Sequence, residues 1–370
     1  MVAVATAPEV GAVRLGLACV WDRPPEPTWS HIPWHLRAAL ARRVTVEDIP
    51  AERSRVAVSA LWHAYAWTHH GRPADGWQVT RVNDALTARR VRRAVGRTRP
   101  DAVLQIGDLA RVDTPYYVYQ DMNRLLLREW LARIGPDHLG YGDVHAELAP
   151  RRVEEQRERL AHANGVFTMS AWQAAPLLAA GVVPAPRVHV VGAGISARHA
   201  PGPPRAAGTR LLFVGGDFPR KGGDVAVAAL ASLRKDRDVT LTVIGPQAGP
   251  EQDGVTYLGR QTPTQVGEAY ATHDVFLLPT RFEAFGIAFA EALAAGLPCV
   301  GPNAFAVPEI VGTSGVLVDD WTPESYAAAI ATVLDSETIR ARARDGAADV
   351  AKRFSWDAVA QRMLAAMGEA

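Results

Sequence analysis

Short apolar runs, each followed by a stretch with helical spacing, recur in two series along this chain of 370 residues, and no other feature limits its fold as strongly. In the first series VRLGLACVW (13–21), RVTVEDI (43–49), DAVLQIG (101–107), YYVYQDM (116–122) and GVFTMS (165–170) read as short strands, with IPWHLRAALARR (32–43) as a helix between the first two. The second series contains RLLFVGG (210–216), VTLTVIG (239–245), VTYLG (255–259), DVFLLPT (274–280), PCVG (298–301) and GVLVDD (315–320). Helices are expected from about 223 and 264, around Glu291, and at FSWDAVAQRMLAAM (354–367). Strands that alternate with helices build βαβ units and a parallel sheet covered on both faces. Between the series, GAGISARHAPGPPRAAGT (192–209) is rich in Gly and Pro and has no period, as a linker would be. The expected fold is α/β: two doubly wound domains, 1–191 and 210–355, facing each other across a cleft. Segment 50–80 is less regular; SRVAVSALWHAYAWTHHGRP reads as one helix whose aromatics and histidines break the apolar stripe.

Composition narrows the functional classes. Forty basic residues against 39 acidic ones leave a net charge of +1, so no electrostatic case exists for nucleic acid or an anionic membrane surface. Cys19 and Cys299 each fall inside an apolar run, as free core thiols of a reducing compartment would. The N-terminus lacks the basic head and long apolar body of a signal peptide, and no run of about 18 apolar residues is present. A soluble, cytoplasmic protein is expected. Ten tryptophans include Trp21, Trp29, Trp34, Trp62, Trp67 and Trp77; core packing accounts for most, while some would suit an acceptor surface. His69 and His70 are adjacent and so point apart, which makes them a poor metal pair.

Open parallel sheets bind ligands beyond the carboxyl ends of their strands, and two junctions of the second series have the right chemistry. In LLFVGGDFPRKGGDVAVAAL (211–230) a strand ends in Gly215-Gly216, Arg220 and Lys221 follow, and glycines lead into a helix. Glycine lets backbone N–H groups approach an anion, and a helix N-terminus carries about half a positive charge. The alternative is a glycine turn bearing two solvated cations. In RFEAFGIAFAEALAAG (281–296) a helix starting near Gly286 would free the amides of Phe285, Gly286, Ile287 and Ala288. Glu283 would stand just before it. Glu291, among Ile287, Phe289, Ala290, Leu293 and Ala294, is costly to bury unpaired, and a diol donating two hydroxyls would satisfy it. Otherwise Glu291 is a surface position and Glu283 a helix cap.

The pair Glu283-x7-Glu291 within EAFGIAFAEALAAGLPCV is very similar to the signature of retaining nucleotide-sugar glycosyltransferases of the GT-B fold, family 4. The resemblance extends to FTMSAWQAAPLLAAGVVPAPRVHVVGAGIS (167–196), VGGDFPRKGGDVAVAAL, VTYLGRQTPTQVGEAYATHDVFLLPT (255–280), AFAVPEIVGTSGVLVDD (304–320) and RFSWDAVAQRML (353–364). It implies two Rossmann-like domains, with a last helix at about 356–370 crossing back onto the N-terminal one. It further implies that Glu283, Lys221 and Arg220 serve transfer, Lys221 on the diphosphate and Glu283 on the hydroxyls of the transferred sugar. Glu291 would hold the ribose, and the amides from Phe285 through Gly286 and Ile287 to Ala288 would contact the diphosphate. Gly259, Arg260 and Gln261 would border the base, with uridine favoured. No metal and no cofactor beyond the nucleotide-sugar co-substrate are implied.

Two departures stand out. Many relatives carry an arginine where this chain has Gly216, so that Arg220 is the candidate replacement. Many also have a glycine-rich loop after the first strand, whereas here WDRPPEPTWSHIPWHL (21–36) contains no glycine. Thr28, Ser30 and His31 become acceptor-side candidates, as does Asp121, which with Gln120 stands near where several relatives place a histidine. Structural roles stay open for His31, and Asp121 is equally suited to capping the next helix. The acceptor is expected to be a small molecule or a glycan. A GT-B phosphorylase or epimerase, and a non-catalytic sugar-nucleotide-binding subunit, are the alternatives.

Overall fold

The computed structural model describes residues 13–53, 55–68, 80–135, 143–195 and 209–368. The extreme N-terminus, His69, His70, Trp77 and most of the expected linker lie outside the described residues, as does the side chain of Trp67.

Two parallel six-stranded sheets form the frame. The first contains β1 (Arg14–Cys19), β2 (Thr45–Pro50), β3 (Ala102–Ile106), β4 (Tyr116–Gln120), β5 (Gly165–Thr168) and β6 (Val188–Val190) in the order β2-β1-β3-β4-β5-β6. The second contains β7 (Arg210–Val214), β8 (Thr240–Ile244), β9 (Val255–Gly259), β10 (Val275–Leu277), β11 (Cys299–Pro302) and β12 (Gly315–Val318) in the order β12-β11-β10-β7-β8-β9. Both are doubly wound, as the alternating runs require. In β4, Tyr117 and Tyr119 enter one core while Tyr116 and Val118 enter another, so both faces are buried and the run shows no polar alternation.

Helices cover these faces. In the first half they are α1 (Ile32–Ala41), α2 (Arg55–Thr68), α3 (Arg81–Thr98), α4 (Arg124–Ile134), α5 (Asp143–Ala161) and α6 (Ala171–Ala179). The second half has α7 (Gly223–Leu233), α8 (Pro263–Thr272), α9 (Ile287–Ala294), α10 (Val307–Val311), α11 (Pro323–Asp335), α12 (Glu337–Arg353) and α13 (Trp356–Gly368). The last of these packs on the first half: Arg42 pairs with Asp357 at 2.9 Å, and Arg362 Nε donates to the Val191 carbonyl at 2.8 Å.

Two elements differ from the sequence expectation. β6 has three residues at a sheet edge, too few to show a period. β10 stops at Leu277 rather than running to Thr280, because Pro279 offers no N–H to the ladder.

The halves also meet directly. Glu309 at the start of α10 accepts from the amides of Ala171 and Trp172 at 2.8 and 2.7 Å, satisfying orphan donors at the N-terminus of α6. Gln173 Nε2 donates to the Ala284 carbonyl at 2.8 Å, and Trp130 packs at a tilt against Phe305 with ring centres 4.6 Å apart.

Candidate active site

In each sheet the strand order reverses once, between β1 and β3 and between β7 and β10. Loops that leave neighbouring strands in opposite directions open a crevice there. A cavity of about 460 Å3 lies between the two crevices, within the usual range for small-molecule sites.

Its C-terminal wall is made by the loops after β7 and β10. Gly222 caps α7 with φ of +72°, and a Cβ there would lie 2.0 Å from the Pro279 carbonyl oxygen, so only glycine lets the two loops touch. That contact brings Lys221 against Glu283, and the two form an ion pair in which both side chains are largely buried. Neither helix capping by Glu283 nor a solvated Lys221 is what the structure contains. Gly286 caps α9 at φ of +105°, and the first amides bonded inside that helix are those of Phe289 and Ala290, both to the Gly286 carbonyl. Phe285, Gly286, Ile287 and Ala288 line the cavity ahead of them.

Glu291, one turn further into α9, also lines the cavity and is half-buried. Its carboxylate accepts a hydrogen bond from the Tyr270 hydroxyl at 3.4 Å, so it is not the unpartnered group that its apolar neighbours suggest. Burial, and then the Glu291 charge, push the Tyr270 hydroxyl well above its usual pKa, which keeps it a donor. Tyr270 is a hydrogen-bonding neighbour of Glu291 that sequence reading missed. Its signal, a tyrosine in an otherwise ordinary helix 21 residues earlier, is not recognisable without the fold.

Arg220 requires a correction. Its guanidinium is held by Asp217 at 2.9 Å and by the Phe282 carbonyl at 3.1 Å, and it does not line the cavity. It ties the two loops together, as does Arg281, which binds Asp224 with two bonds of 2.8 and 2.7 Å. Gly216, Gly259 and Arg260 likewise lie outside the lining, whereas Gln261 is part of it. A Cβ at Gly216 would meet nothing within 4 Å, so an arginine there is absent by sequence and not by crowding.

The N-terminal wall is formed by Trp29, Ser30, His31, Ile32, Asp121 and Met169. Trp29, Ser30 and His31 have φ of 44°, 57° and 66°, left-handed values that non-glycine residues adopt at a cost of about 1–2 kcal/mol each. They bring the N-terminus of α1 to the cleft without the glycines that usually permit such a turn. Thr28, by contrast, is buried and accepts from the Asp22 amide at 2.7 Å, a structural role. Asp121 does not cap α4; Asn123 does, accepting from the Leu126 amide at 2.9 Å. The Asp121 carboxylate instead accepts from the Trp29 indole at 3.0 Å. Burial pushes its carboxyl up to about 6, against the pull of the indole and of Arg124.

Both cysteines are buried and free, and burial raises both thiols. Among the described residues no helix is long and apolar enough to cross a membrane, and no group of three or more His, Cys, Asp or Glu gathers as metal ligands.

Residues 208–336 match the family described as Glycosyl transferases group 1. A D-inositol 3-phosphate glycosyltransferase of Segniliparus rotundus is 38% identical over 174 residues, 42% of this chain and 38% of the relative. The match therefore spans less than half of that relative's length. Among solved structures, WaaG, a glycosyltransferase involved in lipopolysaccharide biosynthesis, superposes with a TM-score of 0.64 at 17% identity, over 94% of this chain and 98% of its own. Sucrose-phosphate synthase from Thermosynechococcus elongatus does so with a TM-score of 0.67 at 17% identity, covering 96% and 98%. Residues 208–336 are thus similar to the glycosyl transferases group 1, and the two facing sheets have the GT-B fold of these solved structures.

Proposed function

We propose that the protein is a retaining glycosyltransferase of the family 4 type, moving a sugar from a nucleoside-diphosphate donor, with uridine as the base, to a small molecule or glycan. The observation that supports this most is the set of groups gathered on one cavity: the paired Lys221 and Glu283, the residues Phe285 to Ala288 at the start of α9, and Glu291. A diphosphate between Lys221 and the helix end would have its charge neutralised by a cation and a dipole, so that departure of the nucleotide needs no metal. Glu283, released in part from Lys221 by the arriving phosphates, would accept hydrogen bonds from the sugar. Glu291, steadied by the Tyr270 hydroxyl, would hold the ribose diol. The departing phosphate oxygen and the incoming hydroxyl would then meet on one face of an oxocarbenium-like sugar, which gives retention. Cytoplasmic action fits the nucleotide-sugar co-substrate.

Thermal shift and calorimetry against UDP, GDP, ADP and TDP and their sugar conjugates, each with and without a chelator, test the reading. Stabilisation by one nucleoside diphosphate, unchanged by chelator, is expected. If none binds, the cavity has been misassigned. A binding subunit without catalysis has one observation in its favour, the engagement of Arg220 away from the cavity. Donor binding without slow donor hydrolysis would favour that reading.

A further inference from the structure

Glu283 belongs to the C-terminal wall, yet the residues on both sides of it are held by the N-terminal half. Phe282, just before it, is buried in an aromatic cluster with Trp130 of α4, their ring centres 6.3 Å apart. Ala284, just after it, accepts through its carbonyl from Gln173 Nε2 of α6 at 2.8 Å. Its own half holds the Phe282 carbonyl, through the Thr280 hydroxyl at 2.8 Å and Arg220 at 3.1 Å.

Gln173 is only 1% exposed, and its side-chain amide has one possible orientation. The Met169 amide can only donate and the Ala284 carbonyl can only accept, so Oε1 turns to Met169 at 2.8 Å and Nε2 to Ala284. Asn123 Nδ2 donates to the Gln173 carbonyl at 2.8 Å while its Oδ1 caps α4, which ties the starts of α4 and α6 together. From the other half Glu309 takes the amides of Ala171 and Trp172, so the first turn of α6 is held from both sides. Neither Gln173 nor Asn123 lines the ligand cavity, whereas Met169 and Ala284 both do, one on each wall. Gln173 is thus a buried strut between the walls that ends on the peptide next to Glu283. Among the described residues the hydrogen bond to the Glu283 carboxylate comes from Lys221 alone. A diphosphate that draws Lys221 away leaves that carboxylate dependent on its backbone for position.

We propose that Gln173 is a positioning residue: from the N-terminal half it fixes the backbone beside Glu283, so that this carboxylate meets the transferred sugar only while the two halves are in contact at α6. The proposal rests on the donor reading above and adds to it the control of Glu283 by the opposite half. Gln173 touches no ligand and acts through Glu283. A hydrogen bond that merely joined the halves would have no reason to end one residue from a cavity carboxylate, with its donor locked in a single orientation by Met169.

Calorimetry with UDP, and UDP release by the full chain from UDP-glucose, UDP-galactose and UDP-N-acetylglucosamine without acceptor, test this. Gln173→Met fills similar space without the hydrogen bonds. It is expected to lower UDP release about 10- to 100-fold with UDP affinity kept within about twofold, the cost of a small misplacement at the reacting centre. That loss should largely vanish in the Glu283→Ala background, because a residue acting through Glu283 then has nothing to place. A residue that only supported the fold would cost the same in both backgrounds. Gln173→Glu gives an independent reading. Only its protonated carboxyl can donate to Ala284, and burial raises that carboxyl, so turnover relative to the parent chain should rise as pH falls from about 8 to about 6. Should Gln173→Met fail to fold, this pH ratio decides alone. Unchanged UDP release by Gln173→Met, additive losses in the double variant, or a flat pH ratio for Gln173→Glu would each overturn the proposal. A parent chain that releases UDP from none of the three donors removes the uridine-donor reading and the proposal with it. A parent that releases UDP while the variants match it removes the proposal alone.

Discussion

The two walls of the cleft reach the same kind of backbone in different ways. On the C-terminal side the left-handed turns before α7 and α9 fall on Gly222 and Gly286. On the N-terminal side the turn before α1 falls on Trp29, Ser30 and His31. Glycine takes such dihedrals without steric cost, so the C-terminal turns carry little backbone strain. The N-terminal loop needs its surroundings: the Trp29 indole is held by Asp121 and packs edge-on against Tyr119 with ring centres 6.2 Å apart. Strain held by surrounding contacts clusters at functional sites, and here Asp121, one of the contacts that hold it, also lines the cavity. The C-terminal wall thus rests on glycine dihedrals, and the N-terminal wall on the side-chain contacts around Trp29.

That contrast can be broken experimentally. The largest effect is expected from Glu283→Gln, which should lower transfer about 10²–10³-fold while leaving nucleoside-diphosphate affinity nearly intact, read by turnover and calorimetry side by side. A comparable loss of nucleotide binding would refute the division of labour along the C-terminal wall. Gly222→Ala comes next, with about 3 kcal/mol or more lost in denaturant unfolding, because its Cβ would lie 2.0 Å from the Pro279 oxygen. Glu291→Ala should weaken UDP about tenfold, the loss of a hydrogen-bonded charge at the ribose.

The N-terminal wall should respond in the opposite sense. The Asp121 carboxyl is raised to about 6 in the folded chain, above its unfolded value of roughly 3.9. A raised carboxyl stabilises fully below the unfolded pKa and loses that contribution as pH climbs through the folded one. Asp121→Asn should therefore stabilise by about 1 kcal/mol at pH 7 and by nothing at pH 4, as unfolding curves at the two values would reveal. Smallest of all, Ser30→Gly should stabilise by about 0.5–1 kcal/mol through relief of its left-handed dihedral. A destabilising Ser30→Gly would mean that the loop is not strained, and the contrast between the walls would fail.

Legibility follows the same line. The alternating runs placed most strands within a residue or two, because a fully buried strand needs an unbroken apolar run. The start of α9 was legible at Gly286, and the Glu283–Glu291 spacing marked the cavity wall. Arg220 was misplaced because the Phe282 carbonyl that holds it, together with nearby Asp217, lies 62 residues further along the chain. The strained Trp29–His31 turn was invisible, since nothing in TWSH announces three left-handed residues.

By itself the sequence determined what depends on neighbours along the chain: the α/β alternation, the helix ends at glycine, the burial of Cys19 and Cys299, and the two acids of α9 and its approach. Only the tertiary structure decided which groups are satisfied. It paired Lys221 with Glu283, gave Glu291 the Tyr270 hydroxyl, spent Arg220 on holding loops together, and left Gln120 Nε2 with nothing to bind. The physical reason is range. Dihedral preference and periodicity act within a few residues, whereas a hydrogen bond is set by distance in space, and strand order alone decides which loops come within about 3 Å of one another.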